Sequence, residues 1–463
     1  MSLPELAVQR LTDLLGDRYT SEQSVLQEHA SDESSHTPQA PQAVAFPLST
    51  EEVADVVDVC ATHRIPIVPY GRGTSVEGGI VASHGGLCVD LGRMNRILAV
   101  NDEDLDAHVQ AGVTQFQLNE ALKGSPLFFS VDPGAEATLG GMASTRASGT
   151  NTVRYGAMRE NVLSATVVLA DGRVVRSSSR ARKSSAGYDL TRLFVGAEGT
   201  LGLITELTVR LHRRPDALVS AICAFETVDA AVRSVIRTVQ AGIPLARVEL
   251  LDSDAIAAVN SYSNLNYPKQ PTLFFEFQGT RQGVQEQAEQ VGLIARDWGG
   301  GDFEWADKQD DRDRLWQARH DAYYAMLALR PNARSLTTDV CVPVSRLAEC
   351  ISETQVDLNR CPFPTPLLGH VGDGNFHVLM LVDPESTDEL ALAEDVNSRI
   401  VRRAIEMDGT CTGEHGVGIG KRQYLIAEHG SGLDVMKQIK QSLDPFNLMN
   451  PGKVLEVGVS GLQ

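Results

Sequence analysis

No uninterrupted apolar run in this chain approaches the length of a membrane span, so an integral membrane segment is not expected. Basic residues are few beside acidic ones, 41 Lys and Arg against 60 Asp and Glu. The net charge of −19 argues against nucleic acid or an anionic membrane surface as the main partner. Cys60, Cys88, Cys223, Cys341, Cys350, Cys361 and Cys411 are scattered and never spaced as Cys-x-x-Cys. That excludes an iron–sulfur cluster or zinc ribbon and reads as buried thiols in a reduced compartment. The start, Met1-Ser2-Leu3-Pro4-Glu5-Leu6, has neither a basic n-region nor a transit-peptide composition, and Gly461-Leu462-Gln463 is no targeting signal. A cytoplasmic protein, at most peripheral to a membrane, is the expectation. A P-loop, a Gly-x-Ser-x-Gly elbow, internal repeats and low-complexity segments are also missing.

What is present is an ordinary globular composition, 42% hydrophobic and 22% charged over 463 residues, enough for two or three domains. Ser49-Thr50-Glu51-Glu52 is a capping box, and Val53, Val56, Val57 and Cys60 follow at helical spacing. Strand signals recur at 65–68, 87–91, 108–113 and 162–169, so the first segment reads as α+β. Arg213-Arg214-Pro215 marks a boundary. Beyond it, strands at 219–225, 247–251, 272–277 and 337–342 alternate with helices at 228–239, 282–298 and 310–329. The expected domains are 1–213 (core about 38–213), 214–425, and a C-terminal segment 426–463 that forms a helix and then a turn.

Three glycine-dense loops lie in the first domain. Gly71-Arg72-Gly73-Thr74-Ser75-Val76-Glu77-Gly78-Gly79 follows a strand and lets backbone N–H groups approach a diphosphate. It is not a Rossmann fingerprint, since Val76 stands where the third glycine should fall. In the second loop, Thr138 is placed to cap a helix, and Gly140, Gly141, Ala143 and Ser144 let a flat ligand lie against backbone. The third, Gly196 to Thr205, is again glycine-spaced and runs into a strand. Together they fit a large dinucleotide in an extended pose.

Two histidines bracket a turn in His370-Val371-Gly372-Asp373-Gly374-Asn375-Phe376-His377, and Gly413-Glu414-His415-Gly416 follows downstream. A straight strand would point His370 and His377 to opposite faces, but the Gly-Asp-Gly-Asn bend can bring both rings to one spot. Three imidazoles and a carboxylate on bent backbone suit a divalent metal such as zinc, manganese or iron.

These segments carry a resemblance. Tyr70–Gly79, Val131-Asp132-Pro133-Gly134, Ala147–Asn151 with Val153–Gly156, Gly196–Thr205, Gly369–His377, Thr412–Gly418 and Asn450-Pro451-Gly452-Lys453 stand in the order seen in flavin-linked 2-hydroxyacid dehydrogenases. The chain resembles that family, within the vanillyl-alcohol oxidase and p-cresol methylhydroxylase superfamily, from about residue 38 onward. Its nearest branch is the cytochrome-linked, mitochondrial-type D-lactate branch, beside the glycolate and D-2-hydroxyglutarate branches. The resemblance implies an α+β fold: a two-subdomain FAD-binding domain of the p-cresol methylhydroxylase type and an α+β, ferredoxin-like cap. It places FAD against Gly71, Arg72, Gly73, Thr74, Ser75, Gly78, Pro133, Gly134, Thr138, Gly140, Gly141, Ser144, Gly149, Gly199, Ile204 and Asn450. No histidine or cysteine stands in the loops that hold flavin covalently in other members (His84 lies beyond), so noncovalent FAD is expected.

The resemblance also assigns His370, His377 and Glu414 to a divalent metal, zinc or manganese. His415 is the general base or a fourth ligand. Arg319 holds the substrate carboxylate, and the helix around it puts Trp316 and Tyr323 on the same face. Where the hydroxyglutarate branch has a lysine and an asparagine, this chain has Thr337 and Leu379, which favours a short side chain such as that of D-lactate. Electrons would pass to a cytochrome c, a quinone or an electron-transfer flavoprotein, and a homodimer is among the expectations. D-2-hydroxyglutarate or glycolate oxidation is the alternative within the family, and a flavin-free metallohydrolase the alternative outside it.

Overall fold

Ser49 opens the Thr50–His63 helix as its capping box predicts, accepting from the Glu52 N–H, and Arg64 closes it in the left-handed region at φ 55°. The next elements also follow their local signals. Val53, Val56, Val57 and Cys60 are fully buried on one helix face, and Ile67–Tyr70 and Leu87–Asp90 form parallel strands beneath. The computed structural model describes residues 3–458. It divides into one unit of residues 3–149, 155–214 and 414–458 and a second of residues 150–154 and 215–413.

The first unit has two sheets. A four-stranded sheet runs in the order Tyr19–Thr20, Ala43–Ala45, Leu87–Asp90, Ile67–Tyr70. Its core of Val, Leu and Ile side chains is covered by the Glu5–Leu15 and Thr50–His63 helices. The other sheet is antiparallel, in the order Ile97–Asn101, Asp106–Gln110, Leu203–Arg210, Val162–Val168, Val174–Arg176. Its core takes in Leu118, Leu139, Met142 and Ala143 from the short helices. The C-terminal segment belongs to this unit: Met449 bridges Ile67 at the edge of the first sheet.

The second unit is an antiparallel sheet with helices on both faces. Its order is Gly300–Ala306, Ala217–Phe225, Thr272–Gly279, Leu245–Leu251, Leu367–Gly369, Asn375–Val382, Arg334–Thr337, with Val340–Cys341 also on the Asn375–Val382 strand. Phe274, Leu251, Leu368, Leu379 and Leu381 form a core with the Ser253–Ser263 and Gln309–Leu327 helices. The strand expected over 337–342 is two short strands, because the chain breaks at Thr338-Asp339, both fully buried. That break turns the Thr338 carbonyl inward, with consequences for His377.

Candidate active site

In the first unit the Gly71–Gly79 loop leaves the Ile67–Tyr70 strand. Gly73 and Gly78 sit at φ 71° and 73°, where L side chains are strained. Among the described residues, the backbone N–H groups of Gly73, Thr74, Ser75 and Val76 donate to no protein acceptor. Four orphan donors on one bend are an anion cradle, and they fit a diphosphate. The second loop meets the first: a Cβ on Gly71 would lie 2.5 Å from Thr138 Oγ1, the atom that caps the Leu139–Thr145 helix. Gly140 is packed onto the Ala111 backbone. Gly149 lies against the Asp132 carbonyl, which brings it beside Pro133 and Gly134, and Gly134 faces open space.

The C-terminal segment braces these loops. Asn450 Nδ2 donates to the carbonyls of Gly79 at 3.0 Å and Glu198 at 2.7 Å, while its buried Oδ1 has no partner among the described residues. Glu198 accepts from the N–H groups of Val417 at 2.6 Å and Gly418 at 2.9 Å, immediately after Glu414 and His415. Complete burial nevertheless pushes its carboxyl up to about 7. Ser148 Oγ donates to Glu414 at 2.5 Å.

Some of the expected contacts have other work in the fold. The Ser144 hydroxyl donates to the Gly140 carbonyl of its own helix. Arg72 pairs at the surface with Glu136 at 3.0 Å. Ile204 is a core side chain, which leaves only its backbone to a ligand, and Gly199 is pressed against Pro69.

In the second unit the His370–His377 bend does what the sequence suggests. Gly374 takes φ 85° at a point where a Cβ would lie 2.0 Å from the Val342 carbonyl, so only glycine fits. The ring centroids of His370 and His377 are 5.5 Å apart and nearly perpendicular. His377 Nδ1 lies 3.0 Å from the Thr338 carbonyl, and His370 Nδ1 lies 2.7 Å from Glu249 Oε1. Both acceptors fix the proton on Nδ1 and the lone pair on Nε2, the tautomer that metal-ligating histidines use. Among the first-named expectations, then, the imidazole donor set fits a divalent metal.

Arg319, on the Gln309–Leu327 helix, joins the same cluster: its Nε donates to Glu249 Oε2 at 2.8 Å. Burial opposes ionisation of Glu249, but His370 and Arg319 outweigh it and hold the carboxyl below its usual range. Burial lowers the His320 pKa, and the nearby Arg247 and Arg319 reinforce it.

Trp316 and Tyr323 do not share the Arg319 environment. Trp316 is buried in the core, donates Nε1 to Ser220 Oγ at 3.1 Å and lies under Arg247, whereas Tyr323 is 43% exposed. The helix face that carries them runs from core to solvent, which corrects the expectation of one substrate-facing trio. Leu379 is likewise a core side chain, yet it pairs directly with Thr337 across the strands and lies two residues beyond His377 on the same face.

Sequence reasoning missed Glu249 and Asp339. Asp339 is fully buried and accepts from Asn375 Nδ2 at 2.9 Å and Thr412 Oγ1 at 2.8 Å. A lone carboxylate in the Leu245–Leu251 strand, otherwise apolar but for Arg247, was the available signal for Glu249.

Residues 214–454 match the family described as FAD linked oxidases, C-terminal domain, and residues 41–178 the FAD binding domain. The chain is 50% identical over 458 residues to a probable mitochondrial D-lactate dehydrogenase of Danio rerio, covering 98% of this chain and 92% of that one. It is 44% identical over 456 residues to the mitochondrial D-lactate dehydrogenase [cytochrome] of Arabidopsis thaliana, covering 98% and 80%. The structure of p-cresol methylhydroxylase with substrate bound superposes with a TM-score of 0.82 at 18% identity, covering 98% of both chains, which shows the shared fold.

These relatives overturn the cytoplasmic expectation, since both are named mitochondrial. The scattered cysteine pattern suits a reducing environment and does not say which organelle supplies it. No helix of the described residues is long and apolar enough to cross a membrane. With both family matches and these relatives in place, the chain belongs to the FAD-linked oxidases, an FAD-dependent oxidoreductase of the mitochondrial D-lactate dehydrogenase (cytochrome) type.

Proposed function

We propose that the protein oxidises D-lactate to pyruvate and passes the electrons to a cytochrome, with noncovalent FAD and a divalent metal, zinc or manganese, as its cofactors. The observation that supports this reading is the polar cluster of the second unit: two imidazoles with their lone pairs on Nε2, and Arg319 of the Gln309–Leu327 helix held at Nε by the same Glu249 that meets His370.

His370, His377 and Glu414 would hold the metal, and the orphan N–H groups of the Gly71–Gly79 loop would hold the diphosphate of FAD. When bound, FAD supplies the two-electron acceptor for the hydride from the substrate Cα, and the metal polarises the hydroxyl. Arg319 orients the substrate carboxylate. Its Nε is committed to Glu249, and among the described residues neither Nη atom donates to a protein acceptor, so the outer edge of the fork is available for bidentate pairing. His415 takes the hydroxyl proton as hydride departs. Thr337 and Leu379 carry no cation, so the second carboxylate of a 2-hydroxyglutarate would stay unpaired on their side.

A substrate panel with an artificial dye acceptor tests the reading. D-lactate and D-2-hydroxybutyrate should be oxidised faster than D-2-hydroxyglutarate, glycolate and every L-enantiomer. Faster turnover of D-2-hydroxyglutarate would move the protein to that branch and show that Thr337 and Leu379 do not set chain length.

A further inference from the structure

Glu249 is a buried carboxylate of the second unit that the reaction described above leaves without a task. It sits near the end of the Leu245–Leu251 strand, a central strand of the sheet, between Val248 and Leu250, and its carboxylate is 1% exposed. Such a group costs several kcal/mol to bury unless both oxygens are paired. Both are. Oε1 meets His370 Nδ1 at 2.7 Å and Oε2 meets Arg319 Nε at 2.8 Å. The two partners come from different elements, the turn after Leu367–Gly369 and the Gln309–Leu327 helix.

From this geometry we propose that Glu249 is a positioning residue that couples the metal to the substrate carboxylate. One carboxylate fixes the ring orientation and tautomer of His370 and, through its other oxygen, fixes the guanidinium plane of Arg319. The inference rests on the proposed roles of His370 as metal ligand and Arg319 as carboxylate receptor. It adds that neither role is set independently of the other. The commitment of Nε is what makes it specific: an arginine held at Nε presents its Nη1–Nη2 edge in a fixed plane, which a lysine at that position cannot imitate. Gln at position 249 removes the negative charge that holds both donors and turns an NH₂ toward one of them, so the bridge is weakened at both ends. Asp keeps the charge but is one methylene short.

The test uses full-length, FAD-loaded wild type, Glu249→Gln and Glu249→Asp. Three quantities are read: flavin content, divalent metal retained after a chelator challenge by elemental analysis, and the separate KM and kcat for D-lactate. Glu249→Gln should keep its flavin, lose metal retention by about tenfold or more, as loss of a second-layer partner of a ligating histidine does, and raise KM by a similar factor. Glu249→Asp should show both defects in milder form. The KM loss of Glu249→Gln should not add to that of Arg319→Lys, because the two act through one contact.

Wild-type metal retention and KM in Glu249→Gln would overturn the inference, and so would loss of only one of the two, since the bridge requires both. If Glu249→Gln fails to fold, the same criteria apply to Glu249→Asp. A wild-type protein that holds no divalent metal, or whose flavin D-lactate does not reduce, removes the underlying reading and the inference with it. A competent wild type with unaffected variants removes the inference alone.

Discussion

The glycine loops of the first unit and the polar cluster of the second unit are built on opposite principles. The loops work through backbone: left-handed glycines, small side chains and orphan N–H groups. The cluster of the second unit works through side chains, with Glu249, Asp339, His370 and His377 all buried against specific partners. A backbone site is defined by what it omits and loses function when atoms are added. A side-chain cluster is defined by pairing and fails when a partner is removed.

The largest effects should come from removing partners in the chemistry itself. His415→Ala should lower flavin reduction by D-lactate by roughly 10²–10⁴-fold, the range for a general base, with FAD and metal still bound. Metal lost along with activity would instead make His415 a ligand. His370→Ala and His377→Ala should each reduce metal retention by about tenfold or more. Prolonged chelation of the wild type should abolish turnover while the flavin spectrum persists, and a divalent ion should restore it. Full activity in protein shown by elemental analysis to be metal-free would end that side of the comparison.

Next in size is Arg319→Lys, which keeps the charge but loses the fork. KM for D-lactate should rise by about one to two orders of magnitude, since a charge-assisted bidentate contact is worth roughly 1.5–3 kcal/mol. An unchanged KM would take Arg319 out of substrate binding.

Adding atoms is the matching experiment on the loops. Gly73→Val puts a β-branched side chain at φ 71° with Cβ about to meet the Tyr70 hydroxyl at 2.6 Å, so flavin-poor but folded protein is expected. The same substitution at Gly16, which also has positive φ but open space around it, should leave flavin content alone. Equal flavin loss at both positions would mean general destabilisation and not a blocked cradle. Acid precipitation of the wild type should leave all flavin in the supernatant, and a coloured pellet would refute noncovalent attachment.

The smallest effect concerns pH. Burial raises Glu198 from 4.5 to about 7, so the folded protein holds a proton that the unfolded chain releases. Its contribution to stability is therefore full below pH 4.5, declines as pH rises toward 7, and is flat above. Glu198→Gln should flatten that part of the Tm-against-pH curve, and an unaltered slope would assign the dependence to other groups.

The two regions also differ in how far the sequence disclosed them. Gly73, Gly78 and Gly374 were visible because a residue without Cβ at a strand end announces an unusual backbone or a close approach. The His370–His377 bend was visible for the same reason, since its Gly-Asp-Gly-Asn turn is local. Trp316, Arg319 and Tyr323 show the limit: helical spacing puts them on one face, but that face passes from core to solvent along its length, and periodicity carries no information on depth. Ser144 fits a ligand-lining pattern and spends its hydroxyl on its own helix.

The sequence by itself determined the capped helices, the glycine turns, the α+β alternation and, through seven ordered segments, the family, because each depends on local conformation or on residue identity in order. Tertiary structure alone decided that Glu249 reaches both His370 and Arg319, that Thr337 pairs with Leu379, and that Asp339 joins Asn375 to Thr412. Those contacts span 36 to 121 residues. Register and helix placement fix them, and both are settled by burial of the whole sheet face, which no local segment encodes.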